Sequence, residues 1–211
     1  NEYLTAMTTV ILDHEGGVDK YIGDAIMAFW NAPMPQTDHA VRAARTAIGM
    51  RDRLETLRAE WTERNLPDVR VGIGLNVGEV VIGNMGSEQR FDYTAIGDEV
   101  NLASRLESLT KFYGVTILIS EAVRRQLGEA FFCRRLDLVT VKGKVKSVVV
   151  YELMGETTRV DKKTRELASC FEAALASFLA RRWDEAEAAF QDVVGRFDDH
   201  AKRCSSFCRK A

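Results

Sequence analysis

The segment VDKYIGDAIMAFW, Val18 to Trp30, places two apolar runs around a Gly23-Asp24 pair. Glycine readily adopts the positive φ that a two-residue turn requires, and the flanking runs are rich in β-branched and aromatic residues. The segment therefore predicts a β-hairpin. A turn between two strands needs no function, so the acid at this bend supports no functional inference by itself.

The rest of the hydrophobic pattern alternates helices with strands. Asp98 and either Thr37 or Asp38 are suitable residues to cap the starts of two of these helices. A second hairpin is predicted over 69–86, with its turn near 77–79. The other predicted elements are helices over about 1–15, 38–64, 98–114 and from 121, and strands near 115–120, 131–141 and 147–154. Helices that alternate with hairpins indicate a mixed sheet covered by helices, an α+β sandwich.

The composition is that of a globular protein with balanced charge. The 211 residues are 46% hydrophobic and 28% charged, with 29 Lys and Arg against 31 Asp and Glu. A nucleic-acid-binding domain normally has a basic excess, so we do not expect a nucleic acid partner. No apolar run reaches the length of a membrane span, and the four cysteines form neither a disulfide framework nor a zinc pattern. We expect a cytoplasmic location.

After Met154 the sequence changes character. Residues 155–166 are polar and predict a linker, while 167–211 predict two amphipathic helices that turn near 181–182, followed by a third helical segment. The spacing of four apolar residues resembles a tetratricopeptide repeat: Ala174, Trp183, Ala186 and Phe190. A single repeat cannot bury its own apolar face, so this helical pair either docks on the rest of the chain or begins a longer array.

Two other segments have polar residues suited to binding phosphate groups. In YTAIGDEVNLASRLES, Asn101 and Arg105 are four residues apart, which places an amide and a guanidinium on the same side of a helix. In VKGKVK, a lysine ammonium could serve as a point charge on a polyphosphate. Taken singly, the first pattern is more typical of a helix surface on which Asn101 faces solvent and Arg105 pairs with Glu107 or another acid. The second pattern is most often a solvated turn at Gly143.

Together, VDKYIGDAIMAFWNAP, VRVGIGLNVGEVVIGNMGSEQRFDYTAIGDEVNLASRLE and VKGK, in this order and spacing, resemble the class III nucleotide cyclase catalytic domain. The resemblance is strongest to bacterial adenylate cyclases and covers most of residues 1–154. It implies a ferredoxin-like α+β sandwich, followed here by the C-terminal helical hairpin over 167–211. It also implies conversion of ATP to 3′,5′-cyclic AMP and pyrophosphate, in intracellular signalling, by a head-to-tail homodimer with two Mg²⁺ or Mn²⁺ ions per site.

The resemblance implies roles for three residues around the base and the metal ions. Asp24 matches one of the family's two metal-binding aspartates, and Lys20 and Thr94 match the pair that reads the purine. A lysine ammonium only donates hydrogen bonds and adenine N1 accepts them, whereas guanine N1 carries a proton. Thr94 can accept from the adenine amino group. ATP is therefore the expected substrate rather than GTP.

Three further residues match family positions around the ribose and phosphates. Asn101 matches the residue that orients the ribose, Arg105 the one that stabilises charge on the reacting phosphorus, and Lys142 the lysine that holds the terminal phosphates. In the family, one subunit supplies the metal aspartates. The other subunit supplies the purine pair, the asparagine, the arginine and the lysine.

The family's domain normally opens with a strand that carries the first metal aspartate, in a motif such as F-x-D-x-x-G-F-T, and no segment of this sequence matches it. We expect the sequence to be a fragment of a longer cyclase, inactive without the upstream aspartate. Two alternatives stay open. One is a pseudo-cyclase that binds nucleotide and regulates a partner without turnover. The other is an interaction module that binds a protein partner through its C-terminal helices.

Overall fold

The computed structural model describes residues 1–87, 89–139 and 147–197. Its helices and strands follow one another in the order α1 (Glu2–Asp13), β1 (Gly17–Ile22), β2 (Ala25–Phe29), α2 (His39–Glu63), β3 (Ile73–Leu75), β4 (Val81–Ser87), β5 (Arg90–Ile96), α3 (Asp98–Tyr113), β6 (Ile117–Ser120), α4 (Glu121–Leu127), β7 (Phe131–Val139), β8 (Val148–Glu156), α5 (Lys162–Leu179) and α6 (Trp183–Arg196). Lys142, Cys204, Cys208 and the predicted third C-terminal helix lie outside the described residues.

The centre of the fold is a four-stranded sheet with the order β3-β6-β8-β7. Strands β3 and β6 run parallel, and the other neighbours are antiparallel. The β1–β2 and β4–β5 hairpins form separate two-stranded sheets. A mixed sheet covered by helices confirms the predicted α+β sandwich, and the first hairpin is found where the sequence predicted it.

Strand β6 shows how the sheet is covered on both faces. Successive side chains of a strand point to opposite faces, so Ile117 and Ile119 point one way and Leu118 the other. The two isoleucines are buried with α2 and α4, whereas Leu118 is buried with α3, α5 and α6. A third apolar cluster, around Met7 and Trp61, joins α1 to α2 and holds the β1–β2 hairpin beside them.

The predicted second hairpin is wrong in its position. No hairpin turns at 77–79; instead β3 ends at Leu75 and pairs with β6, while the hairpin joins β4 to β5 after Ser87. The reason is the close approach of β3 to α3. A Cβ on Gly74 would lie 2.2 Å from the carbonyl oxygen of Ala103 and 2.3 Å from the amide nitrogen of Glu107. Glycine at this position allows strand and helix backbones to touch, and local periodicity does not report such a contact.

Helix α5 begins at Lys162, inside the stretch predicted as a linker, because Asp161 caps it. The Thr164 amide donates to Asp161 Oδ1 at 2.6 Å. The helical pair α5–α6 then packs its apolar face onto the sheet through Leu167, Phe171, Phe190 and other residues. The pair is therefore docked, one of the two arrangements that the sequence left open. Its likeness to a tetratricopeptide repeat and the division at residues 155–166 stay predictions.

In the described parts of the chain, no helix has both the length and the apolar character that a membrane crossing requires.

Candidate active site

The tip of the β1–β2 hairpin presents Asp24. Gly23 has a φ of +65°, the left-handed conformation that glycine adopts without strain, and it allows the tight turn. Asp24 is exposed, and among the described residues its carboxylate takes part in no hydrogen bond or ion pair. Burial, with a smaller effect of the Asp24 charge, raises the pKa of Tyr3 on α1. The turn thus holds an unpaired carboxylate outward, beside the start of the chain.

Strand β1 contains a bulge at Asp19. Val18 pairs with Ala28 and Lys20 with Met27, which leaves Asp19 without an opposite residue in β2. Neighbouring residues of a regular strand point to opposite faces, and a bulge re-aims one of them. As a result the Asp19 and Lys20 side chains approach each other, with Lys20 Nζ 3.3 Å from Asp19 Oδ1.

The same carboxylate reaches across to β5. Thr94 Oγ1 donates a hydrogen bond to Asp19 Oδ2 at 2.6 Å, and the amide of Ala95 donates to the same oxygen at 3.1 Å. The Asp19 side chain is 0% exposed, whereas that of Lys20 is 38% exposed. Lys20 and Thr94, the predicted purine pair, are thus brought together by a buried acid that lies between them.

Sequence reasoning missed Asp19. The one available signal is its place immediately before Lys20 in VDKYIGD. Ordinary strand alternation would point it away from Lys20, and a bulge has no reliable signature in a single sequence. The residue becomes visible as part of the site only through the strand register.

Helix α3 carries Asn101 and Arg105 on the side away from its buried residues Leu102 and Leu106. Asn101 is exposed and Arg105 is half-buried. The four-residue spacing predicted this shared side correctly. Asn101 and Arg105 thus lie on a helix whose other side is fixed in the core.

The first turn of α3 is held by the segment that follows β3. Asn76 Nδ2 donates to the carbonyl oxygen of Glu99 at 3.1 Å and to its Oε2 at 2.7 Å. Gly78 passes so close that a Cβ there would lie 2.3 Å from Glu99 Cγ. These contacts position the helix end from which Asn101 projects.

Asp24 fits one part of a metal site. An exposed carboxylate is the kind of hard oxygen ligand that Mg²⁺ and Mn²⁺ accept, and Mg²⁺ retains several waters when it is bound this way. Within residues 1–87, 89–139 and 147–197, no group of three or more acidic, histidine or cysteine side chains is arranged to hold a metal ion. Asp24 therefore fits as a single ligand, and the remaining ligands would have to come from elsewhere.

Large apolar side chains are exposed on both hairpins near the purine pair. Each is at least 44% exposed: Tyr21, Ile22, Val81, Phe91, Tyr93 and Ile96. Single exposed apolar residues are common, but a group on neighbouring elements is typical of an interaction surface. Two contacts join the hairpins: Thr94 of β5 donates a hydrogen bond to Asp19 of β1, and the Phe29 and Tyr93 rings lie 6.2 Å apart. This apolar hairpin surface is suited to contact with another protein chain.

Comparison with known proteins identifies the class. Residues 1–155 match the adenylate and guanylate cyclase catalytic domain, and the chain belongs to this family. Adenylate cyclase 1 of Rhizobium meliloti is 36% identical over 161 residues, 76% of this chain and 24% of that protein. The adenylate cyclase of Anabaena cylindrica is 45% identical over 157 residues, 72% of this chain and 31% of that protein. The chain thus spans about a quarter to a third of the length of these relatives.

Solved structures agree with this assignment. The adenylyl cyclase CyaB from P. aeruginosa superposes with a TM-score of 0.69 at 33% identity, covering 76% of this chain and 83% of that one. The guanylyl cyclase Cya2 superposes with a TM-score of 0.66, also at 33% identity, covering 75% of this chain and 80% of that one. The class III cyclase fold inferred from the motifs is confirmed. Similar structures include both adenylyl and guanylyl cyclases, so the choice of base rests on the site residues.

Proposed function

We propose that the chain is the catalytic domain of an adenylate cyclase, a phosphorus-oxygen lyase that forms 3′,5′-cyclic AMP and pyrophosphate from ATP. The observation that supports ATP as the substrate is that Lys20 and Thr94 both contact the Asp19 carboxylate. The Lys20 ammonium would donate to adenine N1, and the Thr94 oxygen would accept from the adenine amino group. Guanine presents a donor at N1, where the ammonium needs an acceptor.

In this proposal Asn101 and Arg105 act on the other end of the nucleotide. The Asn101 amide holds the ribose so that its 3′-oxygen faces the α-phosphorus. The Arg105 guanidinium binds the α-phosphate oxygens and stabilises the charge that develops there. The bond from the 3′-oxygen to phosphorus forms as the bond to pyrophosphate breaks, and the hydroxyl proton is released. Lys142 holds the terminal phosphates.

We assign Asp24 to the metal ions. When bound, Mg²⁺ or Mn²⁺ supplies Lewis-acid stabilisation of the attacking and leaving oxygens. The carboxylate is suited to this role because it is exposed and has no hydrogen bond or ion pair with the described residues. A second aspartate, which the family supplies from its first strand, would complete the pair in a chain that includes that strand.

The site is proposed to be shared in a head-to-tail homodimer. One subunit contributes Asp24, and its partner contributes the purine pair together with Asn101 and Arg105. The apolar hairpin surface supports this arrangement, since it borders the purine pair and would be covered by a second copy. A cytoplasmic location and a protein partner at α5–α6 are further parts of the proposal.

Exchange of the base-reading pair tests the choice of nucleotide. In the full-length cyclase, Lys20→Glu combined with Thr94→Cys should move the preference from ATP towards GTP, because glutamate accepts from guanine N1 and N2 and meets adenine N1 with a second acceptor. The measurement is kcat/KM for both nucleotides at saturating Mg²⁺. Lys111→Glu, an equal charge reversal at an exposed position of α3, is the matched control. An unchanged preference for ATP in the double variant would remove Lys20 from base reading.

A second experiment tests the need for the upstream aspartate. Residues 1–211 alone should form no measurable cyclic AMP from ATP with Mg²⁺ or Mn²⁺, since Asp24 is the only one of the two family aspartates that they supply. A chain extended to include the first aspartate should be active. Activity of residues 1–211 that Asp24→Ala abolishes would contradict this reading. An extended chain that binds ATP without turnover would instead favour the pseudo-cyclase.

A further inference from the structure

We propose that Asp19 determines the base specificity of this site by fixing the direction of the Thr94 hydroxyl. The inference rests on the proposed adenylate cyclase function and adds a positioning residue to it. Asp19 would not touch the nucleotide; it would act through the two side chains that do. Its position at a strand bulge, between these two side chains, is the observation that leads to this role.

The hydroxyl proton of Thr94 is held by Asp19. A threonine hydroxyl has one proton to donate and two lone pairs that accept, and it normally rotates to suit its partner. Here Thr94 donates to Asp19 Oδ2 at 2.6 Å, the short distance typical of a hydroxyl bound to a carboxylate. An ionised carboxylate can only accept. The Thr94 proton is therefore committed to Asp19, and the lone pairs of Oγ1 remain available to accept from a ligand.

Burial keeps this arrangement in place. The Asp19 side chain is 0% exposed and Thr94 is 6% exposed, so water does not compete for the bond. The amide of Ala95 also donates to Oδ2, which fixes the carboxylate against the β5 backbone. Rotation of the Thr94 hydroxyl would leave a buried carboxylate oxygen short of a donor, and this carries a free-energy cost.

The other oxygen of the Asp19 carboxylate lies near Lys20. Asp19 Oδ1 is buried and accepts no hydrogen bond from the residues that the structure describes, yet it lies 3.3 Å from Lys20 Nζ. Attraction between these charges draws the ammonium to the side of Thr94. One carboxylate thus sets both groups: a lysine that donates and a threonine that accepts.

Adenine and guanine differ in the hydrogen-bond donors and acceptors that they present to Lys20 and Thr94. Adenine offers an acceptor at N1 and a donor at its 6-amino group, whereas guanine offers a donor at N1 and an acceptor at O6. A threonine free to rotate could donate to O6 and so tolerate guanine. With its proton held by Asp19, Thr94 can pair only with the amino group. Asp19 thereby limits the Thr94 hydroxyl to accepting hydrogen bonds, and this favours adenine over guanine.

The test uses Asp19→Ala in the full-length cyclase, with kcat/KM measured for ATP, for GTP and for purine riboside triphosphate, which lacks the 6-amino group. An amide in place of the carboxylate could still accept from Thr94 and Ala95 through its oxygen, whereas alanine removes the acceptor and frees the Thr94 proton. The ratio of ATP to GTP activity should therefore fall by about fivefold or more. The penalty for removing the 6-amino group should shrink as well. Asp13→Ala, at an exposed position of α1, is the control and should leave both ratios unchanged.

These readouts distinguish specificity from folding, because a ratio of two substrates on one preparation does not depend on the folded fraction. Thr94→Val gives the second comparison. In a Thr94→Val background, Asp19→Ala should no longer change the 6-amino penalty, and a persisting change would overturn the route through Thr94. If Asp19→Ala and Asp13→Ala give equal ratios, the role of Asp19 is overturned while the proposed function stands. A wild-type enzyme that forms cyclic nucleotide from neither substrate, or without preference for ATP, would overturn the proposed function itself.

Discussion

Asp24→Ala and Arg105→Ala should each reduce cyclic AMP synthesis by about a hundredfold or more in the full-length homodimer, and a mixture of the two variants should recover part of the activity. Loss of a group that stabilises transition-state charge has an effect of this size. Asp24 is exposed at a turn and Arg105 is half-buried on the outer side of α3, so both variants are expected to fold.

The recovery follows from the proposed head-to-tail geometry. In a mixed dimer, one of the two sites receives Asp24 from one chain and Arg105 from the other, while the second site lacks both. Random exchange makes half of the dimers mixed, which gives about a quarter of the wild-type activity. The measurement is cyclic AMP formation as the variants are titrated against each other.

The control for this mixing experiment is the Asp24→Ala, Arg105→Ala double variant. Mixed with Arg105→Ala, it offers no arginine to either site and should restore nothing. If Asp24→Ala and Arg105→Ala also restore nothing together, although subunit exchange is confirmed, then the sites are not shared between subunits in this protein.

A large loss of stability is expected from Glu152→Ala. Arg134 on β7 has a fully buried side chain, and its Nη2 donates to Glu152 Oε2 on β8 at 2.5 Å. The guanidinium also lies 4.4 Å from the centre of the Phe171 ring of α5, while its Nε and Nη1 have no hydrogen-bond partner in the described part of the chain. Without Glu152, this buried positive charge loses its counter-ion, and the free energy of unfolding should fall by about 3–5 kcal/mol.

Urea unfolding, followed by circular dichroism, measures this effect. An exposed ion pair at the start of α6, between Arg182 before the helix and Glu185 in its first turn, provides the matched control, and Glu185→Ala should cost less than about 1 kcal/mol. Replacement of both buried partners, Arg134→Met with Glu152→Leu, should recover most of the stability, since no charge is then buried. A small loss in Glu152→Ala would mean that Arg134 reaches water or another acceptor once its partner is gone.

The parts of the fold that could be predicted from sequence are those fixed by short-range pattern. The β1–β2 turn followed from Gly23, and the shared side of Asn101 and Arg105 followed from the helical repeat. The arrangement of β3 could not be predicted, because its partner is β6, more than forty residues later, and its contact with α3 depends on Gly74. The role of Asp19 was hidden for a different reason: a bulge breaks the alternation on which strand predictions rest.

The shared hydrophobic core beneath α5 and α6 has a consequence for where this protein can be divided. The family match ends at residue 155, but the side chains that close one face of the sheet continue to Phe197. Phe171, Phe190 and Val193 are buried in the same cluster as Leu102 and Leu106 of α3, the helix that bears Asn101 and Arg105. The family match and the apolar cluster therefore end at different residues. A cut at the first boundary would open the core that the catalytic helix shares.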